Sequence, residues 1–200
     1  MPLGTTTSTG LLLVISGPSG VGKTTIARAV RDRFEGVFSV SATTRPQSDR
    51  ETNGEDYWFV TQEKFDQMLG EDDFLEHALV FGTHAYGTPR EPVQENLDEG
   101  KLVVLDIDVQ GALQVREAMP TAYMVFVLPP SEDELHRRLE ARGRDDEEAI
   151  HRRFAEAKRE ISLATESGVY DEFVINDDLH AAIETACRFV HRRWRGAAEA

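Results

Sequence analysis

Residues 15–25, ISGPSGVGKTT, constrain this chain more than any other stretch. Gly17, Gly22, Lys23 and Thr24 satisfy the pattern G-x-x-x-x-G-K-[ST], with Pro18, Ser19, Gly20 and Val21 between them. The backbone N–H groups of such a loop converge on phosphate oxygens. Residues 11–15 before it form a short apolar run of buried-strand type, and Ile26, Val30 and Phe34 after it recur at helical spacing. Strand, glycine-rich turn and helix in that order add the positive end of a helix dipole to the anion site. Lys23 then reaches the β- and γ-phosphates of a nucleotide, and the Thr24 hydroxyl ligates Mg2+.

What receives the phosphate has to be read from the rest of the chain. Its 200 residues, 40% of them hydrophobic, suffice for one main domain. A net charge of −14 argues against broad binding to nucleic acid or to an anionic membrane, so basic groups should gather only where phosphates are held. Cys187 is the only cysteine and cannot form an internal disulfide; on the apolar face of a helix it reads as a buried thiol in a reducing, cytoplasmic setting. Residues 1–10 have no basic leader and read as a flexible tail, and residues 11–15 are too short to span a bilayer. The six histidines show no zinc-type spacing, and no obligate protein partner is evident.

Further apolar runs at 102–107, 123–128 and 172–175 alternate with helical patterns, which predicts a parallel sheet covered by helices on both faces. Between the first helix and residue 102 the texture changes. Short strands at 38–41, 57–60 and 74–81, turns at Asn53-Gly54 and Gly87, and a small helix at 62–69 predict a β-rich insertion. Ser131 and Glu134 form a capping-box pattern that opens a helix with Leu135 and Leu139 on its buried side. Residues 142–160 combine many charges with a thin apolar stripe at Ile150, Phe154 and Ile161, as a mobile helical flap would. A last helix from about 178 ends in basic residues that suit the negative pole of its dipole.

Phosphoryl transfer needs two anionic partners held in line, a metal, and cations that follow the moving charge. Asp106 ends an apolar strand beside the phosphate loop, where a carboxylate holds Mg2+ or its water. Asp108 either faces the same crevice or caps the next helix. Arg138, Arg142, Arg152 and Arg153 are either solvated partners of nearby glutamates or cations that the flap carries in while excluding water. Glu76, flanked by Phe74 and Leu75, is an outward strand residue or a base reader. One carboxylate accepts both N1–H and N2–H of guanine, whereas adenine offers an acceptor and a donor there.

Taken together, SGPSGVGKTT, FSVSATTR, NGEDYWFV, FLEHA, YGTPR, LDIDVQGA, PPSEDELHRRLEARG and VINDD resemble the guanylate kinase family over nearly the whole chain. The resemblance implies an α/β fold: a P-loop NTPase-type parallel sheet flanked by helices (11–37, 101–141 and 167–200), an inserted β-rich GMP-binding region (38–100) and a helical lid (142–166). It implies transfer of a phosphoryl group from ATP with Mg2+ to GMP. Gly17 through Thr25 and Asn176 would then bind ATP, although Asn176 also reads as a plain strand-end turn residue. Ser41 and Glu76 would contact guanine. Arg45, Tyr57 and Tyr86 would hold the GMP phosphate, with Gly87, Thr88 and Asp108 beside the nucleotide. Thr24 and Asp106 would serve the metal, and Lys23, Arg45, Arg138, Arg142 and Arg153 the transferred group.

Three departures stand out. The family pattern T-T-R-x-P-R-x-G-E has a second arginine where this chain has Ser48, and Arg50, two residues on, has the reach to replace it. FGTHAYGT is one residue longer than usual, which predicts a rebuilt turn at Thr83-His84-Ala85. His77 stands where a tryptophan is common. Two rivals differ in kind: a scaffold module on the same fold without turnover, and a kinase for another nucleotide or a small sugar phosphate.

Overall fold

The computed structural model describes residues 10–80, 83–141 and 146–194. Its central sheet is built from β1 (Leu11–Ser16), β2 (Val37–Phe38), β7 (Leu102–Asp106), β8 (Tyr123–Leu128) and β9 (Glu172–Ile175), in the order β2-β7-β1-β8-β9. All its pairings are parallel. Side chains on a strand alternate between faces, and β1, β7 and β8 are covered on both, which is why their runs are continuously apolar. Leu13, Ile15, Val104, Val125 and Val127 pack on one side with Ile26 and Val30 of α1 (Lys23–Arg33) and Ala182, Ala186 and the buried Cys187 of α7 (Leu179–Trp194). Leu12, Val14, Val103, Met124 and Phe126 pack on the other. There they meet Val93 of α3 (Arg90–Asp98), Val109, Ala112 and Val115 of α4 (Val109–Ala118) and Ala164 of α6 (Glu147–Ser167).

A second sheet, in the order β4-β3-β6-β5, combines β3 (Ala42–Thr43), β4 (Trp58–Phe59), β5 (Phe74–Val80) and β6 (His84–Pro89). It has its own small core, where Phe65 of α2 (Gln62–Gly70) stacks on Phe74 at 4.6 Å. α5 (Glu132–Ala141) and α6 pack through Leu135, Leu139, Ala157 and Phe154. The capping box is half realised: the Ser131 hydroxyl accepts from the Glu134 N–H at 3.1 Å, but the Glu134 carboxylate turns to Arg137 and Arg138.

Three local expectations are corrected. Residues 38–41 are not one strand: Phe38 ends in the first sheet, Ser39 N–H still donates to Val104 O, and Ala42 begins in the second. Residues 39–41 are therefore the crossing between the sheets. Gly87 is not a turn but lies inside β6 opposite Ala42 and His77, where a Cβ would come within 2.7 Å of the Phe74 ring. His84 and Ala85 belong to that strand rather than to a turn. Helix α3 was not foreseen, because Pro92 sits within it; the first turn of a helix tolerates proline. Among the described residues no helix is long and apolar enough to cross a membrane.

Phe126 is fully buried under the phosphate loop strand, against Tyr170 at 5.0 Å. Phe126→Ala is expected to lower unfolding free energy by about 3–5 kcal/mol, measured by urea denaturation.

Candidate active site

The first helix begins at a loop that glycine makes possible. Gly20 and Gly22 have φ of 89° and 93°, which L side chains rarely adopt. Gly22 precedes α1 without a side-chain cap, so the first N–H groups of the helix are left for an anion. A cleft of about 90 Å3 lined by Pro18, Gly20, Gly22, Lys23, Thr24 and Thr25 lies there. Two contacts hold the loop from behind. Buried Asn176 donates from Nδ2 to Val21 O at 2.7 Å, and a Cβ on Gly22 would lie only 2.6 Å from that nitrogen. Tyr170 donates to Ser16 Oγ at 3.0 Å, and burial pushes its hydroxyl up to about 12.

At the carboxyl end of β7, Asp106 Oδ2 accepts from Thr24 Oγ1 at 2.5 Å, while Oδ1 is buried with no hydrogen-bond partner among the described residues. A hydroxyl beside a carboxylate oxygen in need of a positive partner fits a hard cation or its water shell. Asp108 caps α4, its Oδ1 accepting from Gly111 N–H at 2.8 Å, so the capping role is realised.

Between the two sheets lies a cavity of about 610 Å3. Thr24, Asp106, Ser41, Tyr57 and Thr88 line it, together with Arg28 and Arg31 of α1 and the acidic Glu55 and Asp56. Thr24 thus borders both hollows. Glu76 is buried just behind Thr88, whose hydroxyl donates to Oε1 at 2.5 Å; burial raises its pKa, with the hydrogen bond from Thr88 opposing.

Arg45 sits among Tyr57, Phe59 and Tyr86: its guanidinium carbon is 5.4 Å and 5.5 Å from the first two ring centres, and Nε donates to the Tyr86 hydroxyl at 3.2 Å. Its fork is held by Glu51, with Nη1 at 3.0 Å and Nη2 at 2.6 Å. Glu51 was not singled out from the sequence. Ser48, at the position of the absent arginine, donates from both N–H and Oγ to the same carboxylate. Arg50 is exposed in the adjoining turn.

Of the arginines assigned to the flap, Arg138 donates to Glu134 and to Asp177 O, beside Asn176. Arg152 pairs with Glu148, and Arg153 lies half-buried on α6. Arg142 lies outside the described residues. Sequence reasoning also missed Glu160 of α6, whose carboxyl burial and Glu156 push up to about 7, with Lys23 acting against them.

A parallel sheet with a glycine loop between β1 and α1, and polar side chains gathered at its carboxyl ends, defines a P-loop nucleotide-binding protein. The guanylate kinase family model matches residues 9–193. A guanylate kinase of Gloeobacter violaceus is 51% identical over 180 residues, covering 90% of this chain and 86% of the relative. One from Nostoc sp. is 48% identical over 176 residues, covering 88% and 86%. The crystal structure of guanylate kinase from Anaplasma phagocytophilum superposes with a TM-score of 0.69 at 33% identity, over 94% of this chain and 87% of that one. The chain belongs to the guanylate kinase family. A gluconokinase structure from Sinorhizobium meliloti, at 16% identity and a TM-score of 0.54 over 96% and 97% of the two chains, shares the fold alone.

The Arg45 fork and the Ser48 donors hold the Glu51 carboxyl down to about 2 from an ordinary 4.5. A depressed carboxyl contributes stability above its unfolded pKa and loses it as pH falls through the folded one. The difference in thermal stability between the wild type and Glu51→Gln should therefore be present at pH 7 and vanish between about pH 4.5 and pH 2. Melting curves across that range check it.

Proposed function

We propose that this chain transfers the γ-phosphoryl group of ATP to the phosphate of GMP, giving ADP and GDP, with its own residues in the following roles. The observation that carries the reading is the position of Thr24 at the junction of the phosphate-loop cleft and the larger cavity, next to Asp106. A donor chain in the first and an acceptor in the second would meet there in line. A phosphate oxygen of GMP attacks the γ-phosphorus, the bond to the bridging β–γ oxygen breaks, and ADP departs. The attacking oxygen is already ionised near neutral pH, so no general base is needed. Positioning and electrostatics carry the rate.

Gly17 through Thr25 cradle the donor phosphates, and Lys23 follows the charge as it moves. Asn176 keeps the loop in shape from behind, on the ATP side. Thr24 and Asp106 would hold Mg2+ or its water, and the chemistry the ion would supply is neutralisation of phosphate charge. Arg142 and Arg153 approach the transferred group as the lid, 142–166, closes on the core and on the insertion, 38–100, and join Arg138 of α5 there. Closure excludes water and so suppresses ATP hydrolysis. Arg45, Tyr57 and Tyr86 bind the acceptor phosphate. Glu76, with Ser41 and Thr88, reads the guanine edge by accepting from N1–H and N2–H; Gly87 and Asp108 frame the pocket. The reaction belongs to purine nucleotide metabolism and takes place in the cytoplasm.

The test is ADP release with ATP-Mg2+ against GMP, AMP, CMP and UMP. GMP alone should turn over quickly, and Glu76→Ala should lose that preference; absence of turnover with intact GMP binding would mark a scaffold instead. Arg50 is assigned a compensating contact with the GMP phosphate in place of the arginine absent at Ser48. Arg50→Ala is then expected to raise the KM for GMP strongly, and a change below about twofold, about 0.4 kcal/mol, would reject the assignment.

A further inference from the structure

Two residues of α4 that the phosphoryl-transfer roles leave unused touch the strand bearing Glu76. The carboxamide of Gln114 takes both main-chain polar groups of His77: Nε2 donates to His77 O at 3.0 Å, and Oε1 accepts from His77 N–H at 3.0 Å. β5 is the outermost strand of its sheet, so among the described residues one edge of it has no strand partner. A carboxamide offers a donor and an acceptor side by side, as a peptide group does, and Gln114 thereby serves as a one-residue strand against that edge.

This anchor lies one residue beyond an irregularity in the ladder. The register of β5 on β6 shifts between Phe74 and Glu76. Pairing across such an irregularity leaves the local backbone less constrained by its partner strand. Three residues before Gln114, on the same face of α4, Gly111 leaves the space that Glu76 fills: a Cβ there would come within 3.0 Å of Glu76 Oε2. Gly111 has no positive φ, so that approach, and not its backbone conformation, calls for glycine.

We propose that Gln114 is a positioning residue for base recognition: by clamping the His77 main chain to α4 it fixes the Glu76 carboxylate against Gly111 and so sets the preference for guanine without touching the nucleotide. The proposal rests on Glu76 as the base reader. It also ties that carboxylate to the core helix, whose first residue follows the cap at Asp108 and the strand end at Asp106.

The experiment compares kcat/KM for GMP with that for inosine monophosphate, which lacks only the 2-amino group. Wild type, Gln114→Leu, Gln114→Asn, Gly111→Ala and Glu76→Gln are assayed at saturating ATP, with the KM for ATP measured separately. Gln114→Leu removes both bonds, and Gln114→Asn is one methylene too short to make them. Each is expected to lower the GMP over inosine monophosphate ratio roughly fivefold or more, with the KM for ATP within about twofold of wild type. Gly111→Ala should lower the ratio by displacing the same carboxylate. A folded Gln114 variant that keeps the wild-type ratio, or loses activity equally on both nucleotides, overturns the proposal while Glu76→Gln still loses discrimination. If Glu76→Gln itself keeps the ratio, the base-reader reading falls and this inference with it.

Discussion

The hydrogen bond from Thr24 to Asp106, 2.5 Å long, joins the start of α1 to the end of β7, and the rest of the site is arranged around it. Parallel strands deliver their carboxyl ends to one edge, so a loop after β1 and a carboxylate ending β7 arrive side by side although 82 residues separate them. The loop is then fixed from two further strands. Asn176 follows β9 and bonds Val21 O, and Tyr170, just before β9, bonds Ser16 at the end of β1. A phosphate site made of backbone N–H groups works only if the backbone is held, and these side chains hold it.

On a chain with a net charge of −14, the proposed acceptor side carries its cation already paired. Arg45 lies against the Tyr57 and Phe59 rings and is paired with Glu51 before any ligand arrives. If Arg45, Tyr57 and Tyr86 bind the acceptor phosphate as proposed, recognition there would depend on directed donors, the guanidinium and the tyrosine hydroxyls, more than on net positive charge. Ser48 fits this arrangement: it caps the Glu51 carboxylate with two donors where a second guanidinium would have supplied charge.

How much of this was legible in the sequence follows from how local each feature is. The phosphate loop is contiguous, and its spacing alone located the cleft. The three long runs of β1, β7 and β8 were readable because both faces are buried, so no polar interruption masks them. The second sheet was read less well: Gly87 resembles a turn when its reason is the Phe74 ring, a contact across strands. Roles such as base reading by Glu76 came from resemblance to a family, since a carboxylate between Phe74 and Leu75 has the same pattern whether it faces water or a ligand. Glu51 and Gln114 were missed because they act through partners, a fork six residues back and a main chain 37 residues away, and neither leaves a spacing signature.

The central claim is that the cleft under the phosphate loop and the cavity between the sheets are the two halves of one transfer site. Hydrogen exchange on the chain with a bisubstrate analogue, adenosine and guanosine joined by five phosphates, tests it most directly. The account predicts one analogue bound per chain, with slowed exchange both at residues 17–25 and around Glu76, Gly87 and Thr88. Two analogues per chain, or protection of only one of those segments, would contradict it.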